Sequence, residues 1–272
     1  MSNLGRRVVT ALILVPLFLA ALFLLSGWVF AGFLGLILLL GAWEWGGLCE
    51  LDPTRRSLWL LACTLLAAGL YLVHGLGLAV IIGVVFWIGA IAAVIAFPRG
   101  RTFWATRSVR LSAGILVLIP AWAALLMLQA MPQGPWLVLW TMLMVWGSDI
   151  GGYFFGRAMG RHKLAPSVSP GKTVEGLFGG VGVALLLSLI MVVAAGLPAS
   201  ALFGVIVITL LVVAAAVFGD LFESLIKRVS GVKDSGNLLP GHGGVLDRVD
   251  AVLAAAPVAA VLLHQFGAEM LA

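Results

Sequence analysis

Long runs of apolar residues dominate the chain, and short clusters of charged residues separate them. A helix needs about 20 consecutive apolar residues to cross the hydrocarbon core of a membrane. Because the breaks near residue 26 and at His74 are weak, seven or eight spans also fit this pattern. Our prediction is about nine spans, at residues 8–25, 27–48, 57–73, 76–97, 111–130, 136–156, 174–196, 199–226 and 249–268.

Composition supports a membrane protein. Of the 272 residues, 62% are hydrophobic and 10% are charged, and the mean hydropathy is +1.17. A soluble domain carries about 25% charged residues, so lipid must be part of the solvent of this chain. The first apolar run is longer than the core of a signal peptide, and we interpret it as a retained span. The prediction is an all-α, polytopic transmembrane helix bundle that forms a single integral membrane domain over residues 1–272.

The basic residues are distributed asymmetrically between the two ends of the predicted bundle. Cytoplasmic loops of membrane proteins are enriched in Lys and Arg, so we expect a cytoplasmic N-terminus. The net charge of +5 then belongs to the cytoplasmic face and does not indicate nucleic-acid binding. The cluster from Arg99 to Arg110 is interpreted as a topology signal only. With this orientation all 16 Lys and Arg lie in the cytoplasmic segments 1–7, 49–56, 98–110, 157–173 and 227–248.

Acidic residues are rare, and most lie near the predicted cytoplasmic ends of the spans. Asp220, Ser224 and Lys227 are spaced i, i+4 and i+7 and therefore share one helical face. These groups suit a metal-bound phosphate, and an Asp–Lys ion pair between helices is the alternative. Glu44, which is flanked by two tryptophans, is interpreted as a snorkelling or packing residue among interfacial aromatics. The two cysteines fit neither a disulfide framework nor a metal site and are expected to be small buried residues.

The loop at 229–250 combines many glycines with charges of both signs. Glycine lets backbone N–H groups approach an anion closely, and Lys233, His242 and Arg248 are candidate cationic partners. Two aspartates follow at i, i+3, where the last helix is predicted to begin. Oxygen ligands without clustered Cys or His favour Mg²⁺, as one or more ions. The candidate metal ligands are Asp220, Asp247 and Asp250.

A second polar region joins the sixth and seventh predicted spans. Asp149 lies in or near the membrane among small residues, and a basic, Gly- and Pro-containing loop follows it. Ser169, Lys172, Thr173 and Glu175 are candidates for lining a phosphate or nucleotide pocket beside the first region. For Thr173, an ordinary helix N-cap is the alternative.

The run from Ser224 to Asp250 resembles the signature of the phosphatidate cytidylyltransferases, also called CDP-diacylglycerol synthases. The matching pieces are Ser-x-x-Lys-Arg at 224–228, Lys-Asp at 233–234, Pro-x-His-Gly-Gly at 240–244 and Asp-Arg-x-Asp at 247–250. Ser-Asp at 148–149 and Ser-Pro-x-Lys-Thr-x-Glu-Gly at 169–176 are also similar to the family. In this second stretch Gly171 and Val174 replace the usual basic residue and Trp.

The resemblance implies an all-helical membrane fold, CTP and phosphatidate as substrates, dependence on Mg²⁺ and a homodimer. We expect the protein in the cytoplasmic (inner) membrane, with its active site facing the cytoplasm. Residues 1–135 are expected to form a scaffold with lipid or dimer contacts, and residues 136–272 to carry the site. The candidate catalytic residues are Ser224, Lys227, Arg228, Lys233, Asp234, His242 and Arg248. The candidate substrate-binding residues are Asp149, Ser169, Lys172, Thr173, Glu175, Gly243 and Gly244.

Other classes of membrane protein fit the sequence less well. A CTP-dependent polyprenol or lipid kinase would use a similar site and is the alternative enzyme. A cation-coupled or proton transporter is expected to spread polar residues near the middle of several spans, whereas here they gather at the predicted cytoplasmic ends. The Asp-Gly-x-x-Ala-Arg motif of the CDP-alcohol phosphotransferases is absent from the sequence.

Overall fold

A computed structural model describes residues 3–239 and 243–271, with side chains for residues 12–239 and 243–266. Within these ranges the protein is a helix bundle with one small antiparallel hairpin, β1 (Lys163–Ala165) and β2 (Ser169–Thr173). The helices are α1 (Asn3–Leu24), α2 (Gly27–Leu48), α3 (Pro53–Leu72), α4 (Leu76–Ala96), α5 (Arg101–Ala105), α6 (Arg107–Ala130), α7 (Gly134–Met159), α8 (Val174–Ala194), α9 (Ala201–Val229) and α10 (Leu246–Leu271).

The predicted all-α membrane fold is confirmed, and the hairpin is its one small departure in the described residues. Seven helices of the described chain are long and apolar enough to cross a membrane, namely α2, α4, α6, α7, α8, α9 and the part of α10 at Leu246–Phe266. The helix α3 is not in this set, and the described side chains of α1 begin only at Leu12. The prediction of about nine spans is therefore not confirmed in number.

Several helices extend beyond the apolar runs that predicted them. Hydropathy indicates which residues lie in the hydrocarbon core of the membrane, whereas backbone hydrogen bonding and capping residues determine where a helix ends. The helix α9 continues to Val229, and α10 begins at Leu246. These extensions place Lys227 and Asp247 on regular helix at the edge of the apolar region.

The helices α7 and α8 pack with their backbones in direct contact. A Cβ atom on Gly151 would lie 2.7 Å from the carbonyl oxygen of Gly179, and one on Gly180 would lie 2.5 Å from that of Ser148. Small residues allow this close approach between membrane helices. The same contact places Gly152 and Gly156 of α7 beside Gly176 in the first turn of α8, and Asp149 lies one turn before Gly152 on α7.

Arg110 has a structural role that the sequence interpretation missed. Its side chain is only 3% exposed, and its guanidinium donates to the carbonyl oxygens of Leu48 and Ala105, to Ser230 Oγ and to Glu50 Oε1. The residue therefore joins the ends of α2 and α9 to the start of α6. The interpretation of the Arg99 to Arg110 cluster as a topology signal only is wrong for Arg110.

Both cysteines are buried, as predicted. Cys49 and Cys63 are each 0% exposed and carry free thiols. Burial disfavours the thiolate and raises the pKa of Cys49, just beyond the end of α2, to about 11. The thiolate is the reactive form of cysteine, so the Cys49 thiol is expected to be protonated and poorly reactive near neutral pH.

Candidate active site

A polar cavity of about 630 Å³ lies where α7, α8, α9, α10 and the hairpin meet. This volume falls in the range of about 300–1,000 Å³ that is usual for small-ligand sites. Its wall contains five carboxylates and four cationic groups, an unusual density for a membrane protein, in which ionisable groups generally mark function. The charged wall residues are Asp149, Arg157, Lys172, Asp220, Lys227, Asp234, Asp247, Arg248 and Asp250. We call this space the active-site cavity.

Lys227 connects the two C-terminal helices at the cavity. Its ammonium group lies 2.7 Å from Asp247 Oδ1 on α10 and 2.7 Å from Glu223 Oε2, one turn earlier on α9. Glu223 is 2% exposed, so this carboxylate needs a charged partner where it lies. The Asp–Lys ion pair that the sequence left as an alternative is therefore present, between Lys227 and Asp247.

Asp220 connects the two polar regions of the sequence. Lys172 Nζ, on the second hairpin strand, lies 2.7 Å from Asp220 Oδ2. Ser224 Oγ is 3.4 Å from the other carboxylate oxygen, one turn along α9. The predicted proximity of the stretch at 169–176 to the α9 stripe is thus seen in the ion pair of Lys172 with Asp220.

The Gly-rich loop binds a carboxylate of the protein itself. Asp247 Oδ2 accepts from the backbone N–H of Gly244 at 2.8 Å and from that of Ser235 at 3.1 Å. Gly243 has a φ of +84°, and a Cβ atom there would lie 2.7 Å from Asp247 Oδ2. Glycine is needed at this position for its backbone angle and for the close approach of the carboxylate. The loop therefore fixes Asp247 before any ligand binds.

Glu44 is a site-supporting residue that sequence reasoning missed. It is 3% exposed, and its carboxylate accepts from Ser235 Oγ at 3.1 Å and from the backbone N–H groups of Val245 and Leu246 at 2.9 and 2.8 Å. It caps the start of α10 from a helix about 200 positions away. The interpretation as a snorkelling side chain is wrong, because the carboxylate is buried. Its one sequence signal was a charge inside a predicted span, because all its partners are distant in the chain.

Asp149 and Asp250 complete the acidic part of the wall. The carboxylate of Asp149 interacts electrostatically with Lys172, Asp220 and Arg248, and that of Asp250 with Asp220. Among the described residues, no group of three or more Asp, Glu, His or Cys side chains is arranged to hold a metal ion. Mg²⁺ commonly takes one or two carboxylates and completes its shell with water and substrate phosphates. The aspartates of this wall fit that requirement.

The structure brings some of the predicted site residues to the active-site cavity and not others. Those on its wall are Asp149, Lys172, Thr173, Asp220, Lys227, Asp234, Asp247, Arg248 and Asp250. Other predicted residues lie outside the described wall, namely Ser169, Glu175, Ser224, Arg228, Lys233, Gly243 and Gly244. His242 lies outside the described residues.

Three residues near the hairpin have clear structural roles. Thr173 Oγ1 accepts from the backbone N–H of Gly176, so the predicted alternative of a helix N-cap is confirmed, although Thr173 also lines the cavity. Glu175 accepts from the backbone N–H groups of Arg161 and His162, which fixes the hairpin base. Arg228 Nε donates to the carbonyl oxygen of Val168 at the hairpin turn.

The wall also contains residues that the sequence analysis did not select. Arg157 Nη1 donates to Tyr153 Oη at 2.9 Å, and both line the cavity with Gly152 and Gly156. Positions 149, 152, 153 and 156 share one face of α7 by helical spacing. Extending the face that carries Asp149 would have identified these positions.

The fold and the site define an integral membrane protein with a charged ligand cavity at one end of its helices. The chain belongs to the cytidylyltransferase family, whose sequence model matches residues 5–266. It is 43% identical to the phosphatidate cytidylyltransferase of Pseudomonas aeruginosa over 97% of this chain and 98% of that protein. Proteins of the same name from Haemophilus influenzae and Brucella suis are 39% and 36% identical, over 93% and 98% of this chain and 96% and 94% of theirs.

Proposed function

We propose that this protein condenses CTP with phosphatidate to give CDP-diacylglycerol and pyrophosphate for phospholipid synthesis. The observation that carries the proposal is one cavity, inside an apolar helix bundle, that exposes four cationic side chains and five carboxylates. Such a cavity suits two phosphate-bearing substrates, one from water and one from the membrane. Membership of the cytidylyltransferase family and the names of its relatives support this reaction over a lipid kinase or a transporter.

The chemistry is a nucleotidyl transfer between two anions. A phosphate oxygen of phosphatidate attacks the α-phosphorus of CTP and forms a new P–O bond. The bond from the α-phosphorus to the oxygen bridging the β-phosphorus breaks, and pyrophosphate leaves with that electron pair. The attacking phosphate is already ionised, so it needs little help from a general base. The main barrier is the repulsion of like charges, which positioned cations reduce.

The protein holds its cations in place before the substrates bind. Lys227 is fixed between Asp247 and Glu223, and Lys172 is fixed by Asp220. Groups that are already oriented stabilise developing charge without reorganising during the reaction. Lys172, Lys227, Arg157 and Arg248 neutralise phosphate oxygens, and the loop around Asp247 keeps the α9–α10 pair in register.

Mg²⁺ is the proposed cofactor. One or two of the candidate ligands Asp220, Asp247 and Asp250 would hold it, and substrate phosphates would complete its shell. When bound, Mg²⁺ supplies positive charge to the phosphate oxygens and to the leaving pyrophosphate. The carboxylates also balance the charge of the four cationic groups on the wall. This balance reduces the repulsion among the cationic groups when no substrate is bound. We propose a cytoplasmic-membrane location with the cavity facing the cytoplasm, and a homodimer remains a prediction.

Labelled CTP tests the reaction directly. Purified protein is incubated with phosphatidate, Mg²⁺ and CTP labelled either in the cytidine or at the γ-phosphate. We expect the cytidine label, and not the γ-phosphate label, to enter the lipid fraction. Transfer of the γ-phosphate label would identify a lipid kinase, and absence of both labels from lipid would refute the proposed reaction.

Replacement of the metal-ligand candidates tests the site. We expect Asp220→Asn and Asp247→Asn each to lower the rate of CDP-diacylglycerol formation by about 100-fold or more, as loss of a group that stabilises charge in a transition state does. The matched control is Asp52→Asn at the exposed N-cap of α3, where asparagine caps equally well. Near-normal activity in either site variant, with normal membrane insertion, would contradict the assignment of that aspartate.

A further inference from the structure

A second cavity adjoins the active-site cavity and has different chemistry. It has a volume of about 390 Å³ and is walled by α4, the hairpin, α8 and α9. Leu164, Leu177 and Val217 line both cavities, so the two spaces share a wall. Its described wall residues include no charged side chain. We call this second space the apolar cleft.

The helix α9 explains why a charged cavity and an apolar cleft lie side by side. Ala214, Phe218 and Leu221 are spaced i, i+4 and i+7, which places them on one helical face, and all three line the cleft. Val217 and Asp220 lie on the adjacent face and line the active-site cavity. The same two turns of helix therefore present a carboxylate to one space and only apolar groups to the other.

The hairpin separates the two spaces on the opposite side. Lys172 and Thr173 on β2 line the active-site cavity, and the turn residues at 165–168 line the cleft. The ion pair of Lys172 with Asp220 and the bond from Arg228 to Val168 attach the hairpin to α9. The hairpin is therefore fixed against α9, and the two spaces adjoin along Leu164, Leu177 and Val217.

The apolar cleft opens toward lipid. Ile95 on its wall is 72% exposed, and Ala214 is also exposed. Both lie on helices that are long and apolar enough to span a membrane, so their exposed faces contact acyl chains. The small side chain of Ala214 keeps this end of the cleft open. A continuous apolar path thus leads from the bilayer to the wall of the active-site cavity.

We propose that the apolar cleft binds an acyl chain of the lipid substrate while the lipid phosphate lies in the active-site cavity. This inference rests on the proposed function. Phosphatidate joins a phosphate to apolar chains through glycerol, and the chains cannot remain among nine charged wall groups. The adjoining cleft gives a chain an apolar exit from that cavity. Since bilayer and cleft are similarly apolar, the cleft selects chains by shape rather than by added hydrophobic affinity.

The test is Ala214→Phe, which narrows the lipid-facing end of the cleft. We expect the KM for dioleoyl phosphatidate to rise about tenfold, as exclusion from a shaped apolar pocket does, with the KM for CTP unchanged. Dihexanoyl phosphatidate, whose chains are too short to fill the cleft, should retain its KM. The matched control is Ala62→Phe, the same change at an exposed position of α3 away from the cleft, which should leave all three constants unchanged.

Photo-crosslinking tests whether the cleft binds an acyl chain, independently of catalytic turnover. Phosphatidate with a photoreactive acyl chain should label the 165–168 segment and α9 near residue 214 in the unchanged protein, and less in Ala214→Phe. An unchanged KM for dioleoyl phosphatidate, an equal rise for both lipids and CTP, or labelling elsewhere would each overturn the inference. Labelling of the cleft without cytidine transfer would support binding of an acyl chain in the cleft and would refute the proposed reaction.

Discussion

Glu44 shows how one buried carboxylate positions the active site from a distance. Its two oxygens accept from three donors, which belong to Ser235, Val245 and Leu246. A Cβ atom on Gly236 would lie 2.6 Å from Glu44 Oε1, so the loop also needs glycine to approach it. Through Ser235, Glu44 is connected to Asp247, because the Ser235 N–H donates to that aspartate. Glu44 therefore acts on the site through the loop and does not itself line the cavity.

Replacing Glu44 with glutamine tests this positioning role. An amide nitrogen cannot accept a hydrogen bond, so Glu44→Gln leaves at least one buried donor without a partner, at a cost of about 1–3 kcal/mol. If this energy is lost from the positioning of the reacting groups in the transition state, kcat falls by about tenfold to hundredfold. We expect a smaller change in the KM for CTP. Steady-state kinetics on the purified variant provide the measurement.

The control for this prediction is Glu50→Gln. Glu50 is exposed, and its amide oxygen can still accept from Arg110 in the variant. A Glu44→Gln variant that loses stability but keeps the kcat of the remaining folded protein would show a structural role only. Recovery of kcat in Glu44→Asp, which restores a carboxylate, would support the positioning role.

At the level of single residues, the sequence predicted what was visible in short spacings. Asp220 and Lys227 share a helical face, and both line the active-site cavity. Glu44 was not predicted, because all its partners lie about 200 positions away. The pairing of Lys227 with Asp247 was likewise not specified, because it depends on how α9 and α10 cross. Local periodicity gives the face of a helix but not the helix that packs against it.

The α7–α8 pair is the element whose packing most directly supports the site. Gly151→Ala adds one methyl group where a Cβ atom would lie 2.7 Å from the Gly179 carbonyl oxygen and 2.9 Å from Gly180 Cα. Because backbone atoms cannot move aside as a flexible side chain can, the helices must separate. We expect the free energy of unfolding to fall by about 1–3 kcal/mol, as overpacking does. Thermal unfolding of the detergent-purified protein measures this change.

Gly182→Ala is the matched control for the packing of α7 and α8. Gly182 lies on α8, the other helix of the pair, and a Cβ atom there would have no neighbour within 4 Å. Alanine is the better helix former by up to about 1 kcal/mol, so this variant should be as stable as the unchanged protein or slightly more stable. Equal stability of Gly151→Ala and Gly182→Ala would contradict close backbone packing of the two helices.

At the level of elements, hydropathy predicted helices well and the hairpin not at all. The span predicted at 27–48 is helix α2 at Gly27–Leu48, and the other long helices differ from their apolar runs mainly at the ends. The hairpin was missed because β1 and β2 are short and the segment contains Pro166, Pro170 and Gly171, which disfavour strands. Contacts outside the segment stabilise it, including the ion pair of Lys172 with Asp220.

Among the described side chains, the charged residues gather at one end of the bundle, the charged end, and the loops at the other end, the uncharged end, carry no Asp, Glu, Lys or Arg. At the charged end, Arg110 joins the end of α2 to the end of α9, and Arg228 joins α9 to the hairpin. At the other end, Gln129 Nε2 donates to the carbonyl oxygen of Leu25, which brings the α1–α2 and α6–α7 connections together. The grouping of basic segments predicted from the sequence is thus visible in hydrogen bonds between loops. Which end faces the cytoplasm is a matter of membrane insertion, and the positive-inside rule makes it a prediction.

Cysteine labelling tests the orientation of the protein in the membrane. The two native cysteines should add little background labelling. Cys49 and Cys63 are fully buried, and the pKa of Cys49 near 11 keeps its thiol protonated at neutral pH. Ser200→Cys introduces an exposed thiol at the uncharged end, and Thr102→Cys introduces one at the charged end. With a membrane-impermeant maleimide on intact cells, we expect Ser200→Cys to react at once and Thr102→Cys only after the membrane is opened. The opposite order would place the active-site cavity outside the cytoplasm, where CTP is not supplied, and would contradict the proposed orientation and the proposed reaction together.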